Sequence, residues 1–380
     1  MIPTHKNRCM RHKTLNQTGF SQAGFSLVEL MVGLVIGLLA TLVIVQVFST
    51  FEGQKRSTSG SSDAQTNGSI ALMSMQRNAQ MAGYGLPLPM ADKDNSSLKC
   101  AAFADYDRDN NAATNNSTNL FPIVIQDGVG NTSDTITVRF STTAAGAIPV
   151  DIVNVANATS GAGMVLANNI GCNNNDIALI SSGSTCRMAT VTDGNGNPNT
   201  PRNVTLSAAT PAGSPLVNGA KFACMGNWQN YTYRIVNDEL RLESLLPNGL
   251  PQDLPIVSEV VNMQAQYGVS ANADSNQVNE WVNATGATWA APTVADRNRI
   301  KAIRVVIVVR NGLLEKENVS TACTTAKGVV NTGPCAWDDT DFSAAPIINL
   351  AGIADWQRYR YRTFETIIPL RNMLWSREAV

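Results

Sequence analysis

The stretch Ala23 to Phe48, AGFSLVELMVGLVIGLLATLVIVQVF, places a single acid, Glu29, in an otherwise unbroken apolar run that begins just after Gly24. At 1.5 Å rise per residue the run makes roughly 36 Å of helix, enough to cross a hydrocarbon core of about 30 Å with some tilt. Lys6, Arg8, Arg11 and Lys13 precede it, with no acid among the first 24 residues. The positive-inside rule therefore predicts a cytoplasmic N-terminus, with the roughly 330 residues after the run on the outer side of the membrane. A cleavable secretory signal has a shorter apolar region, about 7–15 residues, with small residues after it rather than a glycine before it. A plain anchor accounts for length and orientation but leaves Glu29 without a purpose, and a charge inside a span is a functional feature by default.

The whole chain has 380 residues, 44% of them hydrophobic, enough to bury a sizeable core. Its 28 basic and 29 acidic residues give −1, and the four cations of the opening segment leave the remainder near −5. That balance carries no footprint for nucleic acid. Both histidines, His5 and His12, lie in the opening segment. The rest of the chain has none, which excludes Ser-His and Cys-His catalysis and argues against a zinc hydrolase.

Seven cysteines stand at 9, 100, 172, 186, 224, 323 and 335, without CxxC spacing. Setting aside Cys9 leaves an even six beyond the apolar run, as in a disulfide-permitting compartment. Cys172 with Cys186, and Cys323 with Cys335, each close a short loop and leave Cys100 and Cys224 for a longer one. Spacing is the only motive, because six cysteines allow 15 connectivities.

Beyond Phe51 the polar tract Lys55 to Ser69, with two glycines and many serines, predicts a weakened or kinked helix. Leu72, Met75, Ala79 and Ala82 then recur at helical spacing, until Gly83, Gly85, Pro87 and Pro89 stop the helix. A stripe of this kind is core packing. From about residue 100 the chain reads as strands. DTITVRFS, DIALISS and RMATVT alternate, and YTYRIVNDELRLES is a hairpin about Asn237-Asp238. In IRVVIVVR, Ile303, Val305, Ile307 and Val309 share one face while Val306 and Val308 fill the other, so the strand is central in its sheet. RYRYRTFETIIPLRN, with Arg358, Arg360 and Arg362 alternating before Pro369, suits an edge strand. The tract Asn110 to Asn119 reads as a loop.

Gly24-Phe25-Ser26-Leu27-Val28-Glu29-Leu30, behind a short basic leader, resembles the class III signal of type IV prepilins. The resemblance implies cleavage by prepilin peptidase between Gly24 and Phe25, N-methylation of the new amine, and a Glu29 that pairs with the N-terminal amine of a neighbouring subunit. QTNGSIALMSMQRNAQMAGYG resembles the helix end of PilW-type minor pilins. VVNMQAQYGVS, RIKAIRVVIVVR and YRYRTFETIIPLRN are similar in kind and order to segments of that family and of its relative, the type II secretion pseudopilin GspJ. Residues 100 to 225 match neither. The resemblance implies an α+β pilin-like fold, a long N-terminal helix packed on a mainly antiparallel sheet domain. Its divisions are a leader at 1–24, a membrane and assembly helix at 25–48, a periplasmic helix at 49–84 and a β-rich domain at 85–380. The implied function is that of a minor pilin priming pilus assembly at the tip, with a GspJ-like pseudopilin as the alternative and a membrane-anchored periplasmic binding protein or enzyme as a different class. The implied partners are prepilin peptidase, other minor pilins, the major pilin, a tip adhesin and the inner membrane.

One tract suggests a ligand. Asp105, Asp107 and Asp109 alternate like the first ligands of a calcium loop, but the sixth position is Asn110 and the twelfth Asn116 instead of glycine and glutamate. An acidic solvated loop is the better reading, calcium the weaker one, and no other cofactor is expected.

Overall fold

Helix α1 (Leu27–Met81) runs through the polar tract without a break, and the expected weakening there does not occur. The hydroxyls of Thr66 and Ser69 donate back to the carbonyls of Ser62 and Gln65, at 3.1 and 2.8 Å, within the unbroken helix. The glycines are contact points. A Cβ at Gly60 would overlap the side chain of Asn311, and one at Gly68 would overlap the ring of Phe364. Ala64, Gly68, Ala71, Met75 and Ala79 are buried at intervals of three and four, and Ala82 beyond the helix continues the stripe. Leu72 is only partly buried against the same core. The helix stops where Gly83 and Gly85 take φ of 81° and 62°.

The computed structural model describes residues 24–86, 103–106, 116–130, 132–143, 147–154, 164–168, 171–182, 185–194, 202–206, 220–245, 251–337 and 345–375. The chain divides into two units, Met1–Arg56 and Ser57–Val380. In the second unit the strands begin with β1 (Phe103–Tyr106), β2 (Asn116–Asn119), β3 (Ile123–Gln126), β4 (Thr135–Ser141) and β5 (Val150–Asn154). Next come β6 (Met164–Leu166), β7 (Ile177–Ser182), β8 (Thr185–Asp193), β9 (Asn203–Leu206), β10 (Lys221–Gly226) and β11 (Trp228–Val236). Then follow β12 (Glu239–Leu245), β13 (Pro251–Ser258), β14 (Val260–Val269), β15 (Glu280–Asn283), and the short helices α2 (Gly286–Trp289) and α3 (Val294–Arg297). The described chain closes with β16 (Ile300–Arg310), β17 (Cys323–Thr324), β18 (Val330–Asn331), β19 (Tyr361–Pro369) and α4 (Arg371–Trp375).

The β-rich domain holds more than the single sheet expected of it. One sheet runs β15-β14-β16-β19 and another β13-β12-β11-β4-β3. In the first, β16 is central and β19 is the edge, as their sequences imply. Ile303, Val305, Ile307 and Val309 face the core that contains the α1 stripe, while Val306 and Val308 pack against Ala336, Ile348 and Leu350 on the other side. Each such fully buried side chain contributes about 1.5–3 kcal/mol. In the second sheet, β11 and β12 form the expected hairpin, with Asn237 and Asp238 at φ of 53° and 60°.

The third sheet closes on itself. In the order β2-β1-β8-β7-β10-β5-β6-β9, β9 pairs with β8 as well as β6, so six antiparallel strands make a small barrel with the β1–β2 hairpin attached to β8. That attachment, β1 to β8, is parallel. Asn116–Asn119, read above as loop, is β2, paired with β1. Alternation fixes the barrel interior: Ala178 and Ile180 of β7, Ala189 and Val191 of β8, and Phe222 and Cys224 of β10 point inward. Leu179, Cys186, Met188, Ala223 and Met225 point outward, against Leu86, Leu120 and Trp228. The barrel is an insertion, because β4 and β11 on either side of it pair directly, Ser141 opposite Trp228.

This alternation corrects the cysteine pairing. Cys172 and Cys186 do not bond: Cys224, facing into the barrel, bonds Cys172 with 5.7 Å between Cα atoms, whereas Cys186 faces out. Cys186 is itself disulfide-bonded, to a partner outside the described residues, and Cys100 lies outside them too. Cys323–Cys335 forms as expected and braces the β17–β18 pair.

Buried polar groups join the β15-β14-β16-β19 sheet to the β13-β12-β11-β4-β3 sheet. Asp134, 2% exposed, accepts from the amides of Gly128 and Ala265 at 3.0 and 2.7 Å, and its own amide donates to Met263 O. The hydroxyl of Tyr267 accepts from the amide of Ile125 at 2.6 Å. Arg310 reaches from β16 to Glu259 and to Asp238 in the hairpin turn, at 2.7 and 2.9 Å.

Two measurements follow. Gly68→Val forces a side chain against Phe364 and lowers the stability of the detergent-solubilised chain by about 1–3 kcal/mol in thermal unfolding, while Gly53→Val, where a Cβ meets open space, changes it little. Burial pushes the Asp134 carboxyl up to about 7 against the two amides that favour its ionised form. The folded chain therefore holds a proton that the unfolded chain releases near pH 3.8, so stability falls as pH rises from about 4 through 7 and levels off above. Asp134→Asn removes that slope, at an added pH-independent cost of about 1–3 kcal/mol because one amide loses its acceptor.

Candidate functional site

The first turn of α1 explains part of Glu29. Ser26 stands just before the helix, and its Oγ accepts from the Glu29 amide at 3.2 Å while its carbonyl accepts from Leu30. Ser26-Leu27-Val28-Glu29 is thus the S-x-x-E pattern of a capping box, with the acid near the positive end of the helix dipole. That local signal was readable in the sequence, and the span-based reading passed over it. The cap explains the helix start but leaves the charge unpaired: among the described residues Glu29 has no ion-pair partner.

From Gly24 to Thr50 every residue is exposed, with Phe25 at 83%. The run is long and apolar enough to cross a membrane, and none of it is buried by its own chain. Both of its threonines bond within the helix, Thr41 donating to Leu38 O at 2.9 Å and Thr50 to Gln46 O at 3.0 Å. An apolar surface of this extent has to be covered by lipid or by other chains.

The later part of α1 is held on the sheets by polar contacts around the small-residue stripe. Asn78 donates to the Tyr233 hydroxyl at 2.7 Å, and that hydroxyl donates to Ser74 O at 3.1 Å. Burial raises the phenol's pKa, so it remains a neutral donor. Arg362, on the edge strand β19, reaches Gln65 Oε1 and Ser61 Oγ at 3.0 and 2.9 Å. Asn372 of α4 donates to the carbonyls of Gln80 and Ala82, at 3.3 and 3.1 Å, closing the helix C-terminus. Of these, Arg362 was read only as an edge-strand residue, and Asn78, Tyr233 and Asn372 carried no readable signal, because their partners lie far along the chain.

The remaining candidates are placed as follows. Asp105 lies in β1 and Asn116 in β2, on paired strands, while Asp107 and Asp109 lie outside the described residues. Among the described residues, Cys172, Asp176 and Cys224 form a cluster with metal-ligand spacing, but both sulfurs are committed to a disulfide. Asp176 accepts instead from the amide of Asn173, at 2.7 Å.

A family model described as Type IV Pilus-assembly protein W matches residues 227–372, which run from β11 into α4. A second, the prokaryotic N-terminal methylation motif, matches residues 19–45. The barrel lies outside both. No curated protein matches the chain. Among solved structures, a type IV-like pilin, TTHA1219 from Thermus thermophilus, aligns over 57% of this chain and 90% of its own, at 11% identity and a TM-score of 0.22. The methylation motif opens the exposed apolar run, and the W-type match takes in the β15-β14-β16-β19 sheet, whose core includes Ala64, Ala71, Met75, Ala79 and Ala82. Together these two matches make the chain similar to type IV pilus minor pilins of the PilW type.

Proposed function

We propose that prepilin peptidase cuts this chain between Gly24 and Phe25, that the new amine is methylated, and that the mature chain joins other minor pilins in a complex that primes pilus assembly and sits at the tip. Its first helix lies in the inner membrane with the basic leader cytoplasmic and the sheets periplasmic, as the leader's four cations favour. The major pilin adds below the complex, and an adhesin is carried with it at the tip. The W-type match favours a pilus over a type II secretion machine.

One observation carries this reading: an exposed carboxylate in the first turn of an uncovered apolar helix, with no ion-pair partner among the described residues. A carboxylate in lipid is costly alone, and an ammonium from a neighbouring subunit in the same layer compensates it. Glu29 then penalises an isolated subunit and favours one docked in register.

Mass spectrometry of the mature N-terminus should find methylated Phe25; residues 1–24 retained on most of the functional membrane protein would overturn the processing step. Glu29→Gln is the sharper assembly test, because glutamine preserves the S-x-x-E/Q cap and removes only the charge. Processing, insertion and fold should be unchanged, while recovery of other pilins by the tagged variant collapses, a neighbour's stranded ammonium costing roughly 3–5 kcal/mol. Normal recovery, together with restored piliation in a deletion strain, would remove the ion pair from the account.

A further inference from the structure

Two arginines meet at Phe121, ahead of β3. Arg139 of β4 donates through Nη1 to Phe121 O at 3.0 Å, and the guanidinium carbon of Arg297, at the end of α3, stands 4.9 Å from the centre of the Phe121 ring. Neither has a carboxylate partner among the described residues. Three of their donors, Nε of Arg139 and both Nε and Nη1 of Arg297, are buried without an acceptor. The acid of the neighbouring core, Asp134, spends its oxygens on backbone amides, and the Tyr267 hydroxyl is taken by Ile125.

Two desolvated like charges with unmet donors are unfavourable, and one ring face offsets only part of that. Burial, and then the charge of Arg297, lowers Arg139 to about 10, and burial lowers Arg297 as well. Both residues are half-buried as a whole, so an anion approaches their exposed part and not the three covered nitrogens. The planar fork of a guanidinium matches a carboxylate. The pair also stands at the end of the assembly helix, because the amide of Gly83, two residues past α1, donates to Arg139 O at 2.9 Å.

We propose that Arg139 and Arg297 form an anion receptor that takes the carboxylate of an acidic side chain on another pilin subunit. The source of that carboxylate rests on the pilus-assembly reading; the receptor itself does not.

The test uses the detergent-solubilised full chain, with citrate as a free carboxylate probe against chloride at equal ionic strength. Citrate should raise the unfolding temperature of the wild-type chain but not of Arg297→Gln. Without citrate, Arg297→Gln should unfold at or above the wild-type temperature, because the substitution relieves repulsion; a purely structural arginine would lose stability instead. In the second arm, the tagged Arg297→Gln chain should recover other pilins about tenfold less well than wild type, the scale of one charge-assisted hydrogen bond. No citrate-specific rise in the wild type, or an equal rise in Arg297→Gln, would overturn the receptor. Loss of the citrate effect with normal pilin recovery would overturn the pilin source and leave a small free anion as the ligand. A wild-type chain that recovers no pilin at all would overturn that source together with the assembly reading, while the citrate arm still decides the receptor.

Discussion

The close approach of the helix backbone to Phe364 and Asn311 is the constraint on which the pilin body depends. Only residues without side-chain bulk at 60 and 68 let the later part of α1 lie against the β16–β19 edge, and the alanines at 64, 71, 79 and 82 continue the same shallow face. With the helix seated there, one face of β16 is covered, and the loop region around Ile348 and Leu350 covers the other. Tyr233, Tyr267 and Asp134 then have their polar atoms satisfied in the buried core. A larger residue at the seat would propagate into all of these, because close-packed interiors transmit displacement.

The barrel follows a different logic. It enters the chain after Ser141 and leaves it before Trp228, residues that face each other across β4 and β11. Thr142 and Asn227, just beyond, hydrogen-bond to each other. An insertion whose ends meet within one antiparallel pair leaves the host sheet's register intact, and the closed ring of strands leaves an edge only at the attached β1–β2 hairpin. The family match beginning at 227 is consistent with a host body that carries an added module.

Much of this was legible where the signal is local. The apolar run, the Asn237-Asp238 hairpin, the doubly apolar β16 and the arginine-bearing edge β19 all have short-range periodicities that survive into the fold. The errors share one cause. Gly60 and Gly68 were judged by intrinsic helix propensity, whereas tertiary contact more than 240 residues away decides them. Asn116–Asn119 looked like loop because asparagine disfavours strands, yet it pairs with β1. The Arg139–Arg297 pair, the sheet-joining Asp134 and the barrel closure depend on residues that meet only once the chain has folded, and no spacing rule reaches them.

Cys172 lies nearer in sequence to Cys186 than to Cys224, its partner 52 residues on. During N-to-C synthesis Cys100 is already present when Cys172 emerges, and Cys186 follows before β10 exists, so thiols that are not its partner reach Cys172 first. The alternation of β7 and β8 supplies the discrimination: once the hairpin forms, Cys186 is turned to the opposite surface from the interior where Cys224 will arrive. The order in which hairpin and bond form is therefore what separates productive oxidation from a trapped isomer. A chain of this design depends on an oxidising compartment that can also undo its first mistake.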